Sequence, residues 1–140
     1  MAFHQMSVSE LNKQRVLVFV VEVLNGGRVE LIDELVARDF IGQLECAGAA
    51  IIGPEGVRRF VSRRRIAYPG IYLHVEDQIA VEDRVVTRWR ATGQSGAAAV
   101  GGPGAPEGGG ITITRMLAGK QVEAYTHASP LQRVRDPLRE

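Results

Sequence analysis

The sequence has little with which to staple, anchor or charge itself. It holds one cysteine, Cys46, which excludes an intramolecular disulfide framework. A reducing compartment fits that usage. No cationic or helix-end signature of activation surrounds Cys46, so it reads as a buried structural thiol. Formal net charge is +1, too little for an overall field that would draw nucleic acid or an acidic membrane. The strongest apolar run, Val16 to Val21, stops at Glu22 and is far too short to span a bilayer. MAFHQMSVSE at the start lacks a basic region, an apolar run and a small-residue cleavage site, so a cytoplasmic protein without a secretion signal is expected. Three histidines show no His-x-x-x-His spacing, and no metal site is expected. Gly102-Pro103-Gly104 is followed by no Gly-Lys-Ser/Thr and is not a phosphate cradle. The basic stretch Arg58, Arg59, Arg63, Arg64 and Arg65 has no aromatic platform interleaved, which favours a solvated helix face over a nucleic-acid or carrier contact.

What is present suits one domain over residues 1–140, with an ordered core from about residue 7 to 130 and a fraying tail over 131–140. Hydrophobic residues make up 45%, enough for one core. Ser7-x-x-Glu10 has the form of a capping box. A helix is predicted from Glu10 to Leu24, stopped by Asn25-Gly26-Gly27. VLVFVV within it is β-branched and could equally be a strand, but length and end signals favour helix. Val29, Ile32, Leu35 and Val36 recur at helical spacing, giving a short second helix from Val29 to Val36. Phe40 to Glu45 reads as a short strand. Gly53-Pro54-Glu55 starts a third helix, with Pro54 at a tolerated first position; Val57, Phe60, Val61 and Arg64 share one face, and Tyr68-Pro69-Gly70 closes it.

Two hairpins follow. Tyr72–Val81 and Arg84–Gly93 flank Glu82-Asp83, and Ile111–Leu117 and Lys120–Ala128 flank Ala118-Gly119. Between them Gln94 to Gly109, rich in Gly, Ala and Pro, reads as a mobile loop and a candidate pocket lid. This order predicts an α+β fold: a curved, mostly antiparallel sheet with about three helices on its concave face, a cone-shaped α+β barrel. The hollow of such a cone is a usual place for a small ligand.

Several stretches resemble the SnoaL-like polyketide cyclases of the nuclear transport factor 2-like superfamily. They are Asn12-Lys13, Glu22 to Gly27, Ile32 to Phe40, Gly53 to Gly56, Val75-Glu76-Asp77, Asp83-Arg84-Val85-Val86-x-Arg88-Trp89, and Arg115-x-x-x-Gly119-Lys120. They occur in order from about Asn12 to Leu131. The resemblance implies intramolecular aldol closure of polyketide rings, without metal or cofactor, by a pocket carboxylic acid–base with polar neighbours that stabilise the enolate oxygen. This sequence departs from that pattern. The acid–base aspartate of aldol cyclases falls near Thr126, a second aspartate at Ser129, and the Asp or His of the preceding strand at Thr112. An Asn or Asp of the first strand falls at Gly42, and a histidine after Gly93 at Ser95. Family members of other activity include isomerases and epoxide-opening enzymes.

Tyr125 and His127 share one face of the last strand by period-two alternation, and Thr126 points the other way. Only one set can face a pocket; the resemblance favours Thr126 inward, with Thr112 and Thr114 across the hairpin. His127 could act as an acid–base, since an unperturbed imidazole titrates near neutrality, or be an edge or interface histidine. Tyr72, His74, Glu76 and Gln78 are predicted to share one strand face, either orienting an imidazole or meeting solvent. Trp89, the only tryptophan, is a pocket wall or plain core. Arg88 and Arg90, on the opposite face, read as solvated or at a dimer interface. The candidate catalytic set is thus His127, Thr126 and Tyr125. The candidate substrate-binding set is Gln43, Trp89, Thr112, Thr114, Phe19 and Tyr72.

Three functions compete: a cyclase, or a related isomerase or epoxide hydrolase; a noncatalytic small-molecule binder; and a dimerisation module using the apolar face of Ile111 and Ile113. The expected partners are a polyketide-like small molecule and a second copy joined through the sheets, with neither nucleic acid nor membrane.

Overall fold

A computed structural model describes residues 6–44, 49–93 and 108–130. Helix α1 spans Val8–Val18 and runs on as a π-helical segment, Phe19–Asn25. Its start is the predicted capping box: Ser7 Oγ accepts from Glu10 N–H, and Glu10 accepts from Ser7 N–H, both at 3.1 Å. The β-branched VLVFVV run is therefore helical. Tertiary burial of Val16, Val20 and Val23 overrides its weak propensity. The helix stops at Gly26, and Gly27 takes φ 72°.

The predicted second helix is shorter than its periodicity. A 3₁₀ turn, Val29–Leu31, leads into α2, Ile32–Leu35. Val36 already belongs to β1, Val36–Leu44. A two-residue strand, β2, Ile51–Ile52, precedes α3, Gly53–Ala67. No sequence signal marked β2, whose two residues are too short for alternation. Four strands complete the chain: β3 Ile71–Val81, β4 Arg84–Gly93, β5 Gly108–Leu117 and β6 Lys120–Pro130. Gly108 and Gly109, expected in the loop, thus begin β5. The rest of that loop, with Ser95, lies outside the described residues, as do Cys46 and the tail from residue 131. The tight turn between β5 and β6 uses Ala118 and Gly119, both at positive φ (52° and 81°), the conformation a right-twisted two-residue hairpin demands.

The six strands form one curved, unclosed sheet in the order β2-β1-β6-β5-β4-β3. All pairings are antiparallel except β1 with β6. Helices cover one face. The main cluster joins Val23, Ile32, Leu35, Val36, Phe40, Val57 and Val61, with Phe19 and Phe60 packed against it. A smaller one joins Val16, Val85 and Met116. Arg15 ties three elements together, donating to Gly119 O at 2.6 Å and Glu34 O at 2.7 Å.

The basic run on α3 is not uniformly solvated. Arg58 pairs with Asp33 and Glu55, and Arg65 donates to Asn25 O. Arg64 is partly buried and donates to Leu24 O at 3.2 Å, while its Nη2 has no partner among the described residues. Burial, and then the charge of Arg65, lower the Arg64 pKa below its ordinary value. Arg64 and Arg65 therefore place positive charge on the last carbonyls of the first helix, where the backbone dipole favours it.

Candidate functional site

Sheet register decides which residues meet. On the helix-covered face, Gln78 pairs with Thr87, Thr87 with Thr112, Thr112 with Thr126, and Thr126 with Leu44. One polar row thus crosses β3, β4, β5 and β6. The next row is Val75, Trp89, Gly110 and Ala128. On the other side of the polar row lie Ala80, Val85, Thr114, Ala124 and Gly42.

Two hydrogen bonds knit the centre of this face. The Trp89 indole Nε1–H donates to Thr112 Oγ1 at 3.0 Å, and Thr112 Oγ1 lies 2.9 Å from Thr126 Oγ1. The arrangement needs a glycine beside the indole. A Cβ at Gly110 would stand 2.4 Å from Trp89 Cζ2 and 2.7 Å from His127 O, so the indole lies where a side chain would otherwise be. At the polar row's β3 end, Gln78 Nε2 donates to Lys13 O at 3.2 Å. Exposure rises across the face. Val85, Thr87 and Thr114 are at most 1% exposed, Thr112, Trp89 and Thr126 are half-buried, and Ala128 is exposed. No ionisable side chain occupies the three rows. The site is neutral, hydrogen-bonding and open toward Ala128.

The sequence-predicted site residues divide between two faces. Trp89, Thr112, Thr114 and Thr126 come together on the inner face, and Phe19 packs into the core that faces it. Gln43, Tyr72, Tyr125 and His127 do not join them. Gln43 pairs with Tyr125, Tyr125 with Ile113, and His127 with Ile111, all on the face away from the helices. Alternation places them opposite Thr126, so they cannot line one hollow with it. Tyr72 lies on this outer face too, edge-on to His74 with ring centroids 4.9 Å apart; His74 Nε2 is 3.0 Å from Thr92 Oγ1.

Gln78 departs from its predicted neighbours. A bulge between Val75 and Asp77 inserts one extra residue in β3, which flips every later side chain to the other face. Tyr72 and His74 therefore face outward and Gln78 inward. Glu76, at the bulge, accepts from Arg88 Nη1 and Arg90 Nε, each at 2.9 Å, so both arginines are held by an ion pair rather than merely solvated. Sequence alternation missed Gln78 because a bulge leaves no compositional mark here.

Two concavities lie away from the Trp89–Thr112–Thr126 group. One, of about 400 Å³, is on the outer face among Ile41, Gln43, Ile113, Arg115, Glu123 and Tyr125. The other, about 740 Å³, lies between the start of α1 and the two hairpin turns, beside Leu11, Asn12, Asp83, Met116 and Leu117. Among the described residues, no group of three or more His, Cys, Asp or Glu converges to hold a metal, and no helix is long and apolar enough to cross a membrane.

Comparison with solved structures places this architecture. A candidate SnoaL-like polyketide cyclase from Jannaschia sp. CCS1 superposes with a TM-score of 0.74 at 19% identity, over 96% of each chain. IdmH, a candidate polyketide cyclase from Streptomyces antibioticus, gives 0.71 at 23% identity, over 88% of this chain and 97% of that one. A candidate ketosteroid isomerase from Kribbella flavida DSM 17836 gives 0.69 at 18%, over 89% and 82%. At such identities the likeness is one of fold. No curated protein matches the chain. The sequence profile of the SnoaL-like polyketide cyclases, however, matches residues 14–124, from the middle of α1 into β6. With strand order, helix placement and profile in agreement, the chain belongs to the SnoaL-like polyketide cyclase family.

Proposed function

We propose that the protein is a cofactor-independent enzyme of natural-product biosynthesis that closes a ring in a polyketide-like chain held on the inner face of the sheet. The observation that carries this reading is the hydrogen-bonded series Trp89, Thr112, Thr126, half-buried and uncharged, at the open part of that face. Thr114, fully buried, lies behind this group, and Phe19 packs into the core that faces it. By the family resemblance Thr126 stands where aldol cyclases carry the acid–base aspartate and Thr112 where an Asp or His is common, so the reading does not rest on proton abstraction by a carboxylate. Holding a flexible chain in one reactive conformer lowers the barrier of a unimolecular closure without any acid–base. A hydroxyl donor fixes the polar end of such a guest while the surrounding apolar side chains take its body.

A binding protein without turnover is the second reading, favoured by the same departures from the family pattern at Thr126, Thr112 and Gly42. One experiment separates the two. The purified chain is incubated with unsaturated and poly-β-keto linear chains, and ring formation is followed by chromatography and mass. Cyclisation that Trp89→Ala lowers at least tenfold, and Tyr125→Phe leaves intact, supports the enzyme. Ligand-dependent quenching of Trp89 with no cyclised product supports the binder.

The reading includes a homodimer built through the outer sheet face. Ile79, Val86, Ile113 and Tyr125 make a continuous cross-strand row there. Ile79, Ile113 and Tyr125 are exposed at 56%, 41% and 44%, beside Ile41 and Ile111. A contiguous apolar patch of this kind favours association.

A further inference from the structure

We infer that the Thr126 hydroxyl is a directed hydrogen-bond donor to the guest, and that the group it recognises is a neutral oxygen acceptor, a ketone, enone or ester carbonyl. This rests on the inner face being the binding site proposed above.

The direction of the series follows from its first member. An indole N–H can only donate, so one lone pair of Thr112 Oγ1 is committed to Trp89. The single hydrogen between Thr112 and Thr126 then has two placements. If Thr126 donated it, Thr112 would accept twice, and its own half-buried O–H would have no partner among the described residues. An unmade bond of that kind is costly. If Thr112 donates, its O–H is satisfied and only one lone pair is left over, and the bonds run head to tail from Trp89 through Thr112 to Thr126. Each such bond polarises the next and strengthens the last donor. The hydrogen left over is that of Thr126, next to the exposed Ala128 and thus at the accessible end of the series.

Charge selects the acceptor. The side chains around Thr126 in the three inner rows are Leu44, Gly110, Thr112, Ala124 and Ala128, none of them ionisable. A carboxylate or ammonium entering here would lose its hydration with no countercharge among the described residues of these rows. A carbonyl loses less and gains the Thr126 bond. Negative charge that builds on that oxygen during ring closure meets a donor already in place.

The test uses the full chain and three bicyclic probes of nearly equal shape: α-tetralone, tetralin and 1-tetralol. Binding is read from Trp89, the only tryptophan, and the tetralone carbonyl stretch is read by infrared spectroscopy. In the wild type the stretch of bound tetralone is displaced as a hydrogen-bonded carbonyl. The tetralone-to-tetralin affinity ratio falls about 3- to 10-fold in Thr126→Val, the range of one neutral hydrogen bond. It is retained in Thr126→Ser and falls partway in Thr112→Val, which cuts the series. An unchanged ratio in a Thr126→Val protein that still melts cooperatively overturns the inference. Should Thr126→Val not fold, an unbonded carbonyl stretch in the wild type overturns it instead. If none of the three probes perturbs Trp89 up to its solubility limit, the binding-site reading itself fails, and this inference with it.

Discussion

The Asn25 side chain completes the sheet edge at Leu73. Its Nδ2 donates to Leu73 O at 2.8 Å, and its Oδ1 accepts from Leu73 N–H at 2.9 Å. One amide thus imitates the hydrogen bonding of a neighbouring strand at the exposed edge of β3, and joins the end of the first helix to the sheet. Unpaired strand edges invite wrong partners. Asn25 blocks this one at the level of Leu73. Asn25→Ala should lower stability by about 1–3 kcal/mol, because both backbone groups lose their partner. Urea unfolding measures the loss, and hydrogen exchange at the Leu73 amide should speed up by more than at neighbouring β3 amides.

Gly110 is the second sensitive point. Ala there forces either the Trp89 ring or the His127 backbone to move, and overpacking of this sort costs about 1–3 kcal/mol. Because the indole also anchors Thr112, Gly110→Ala should shift Trp89 emission together with the melting temperature. A variant with native emission and native stability would show that the indole does not occupy this place.

Acid sensitivity can be assigned to a pair. Glu123 lies 3.1 Å from Arg115; the hydrogen bond from Arg115, and then its charge, hold the Glu123 carboxyl below its ordinary value. A pKa lowered by folding stabilises the native state above the unfolded carboxylate value of about 4.3, and the benefit is lost as pH falls through the folded value. The melting-temperature advantage of wild type over Glu123→Gln should therefore be present near neutrality and vanish on acidification. Both groups are solvated, so the advantage is small and should shrink in roughly 1 M salt.

Ile113→Lys probes the outer face. Its side chain sits between Val86 and Tyr125 in the apolar row. A charge at that centre should convert a dimer to a monomer in sedimentation velocity at micromolar concentration, with unchanged circular dichroism. A wild type that sediments as a monomer at every concentration disproves the dimer.

Much of this architecture is written locally. Ser7 and Glu10 place the start of α1, Gly26 and Gly27 its end, and Ala118-Gly119 the last hairpin. These signals act over a few residues, through a cap, a missing Cβ or a forced φ, so no distant contact is needed to read them. Strand alternation likewise separates Thr126 from Tyr125 and His127.

Tertiary structure decided the rest. Alternation gives two faces but does not say which one the helices will cover. That choice placed Trp89, Thr112 and Thr126 together and sent Gln43, Tyr72, Tyr125 and His127 outward. The bulge after Val75, the two-residue β2, and the early turn from α2 into β1 at Val36 answer to pairing partners far along the chain. So does the grip of Asn25 on Leu73, which are 48 residues apart. Short-range chemistry sets where each element begins and ends, whereas register and burial depend on the whole sheet closing over its helices.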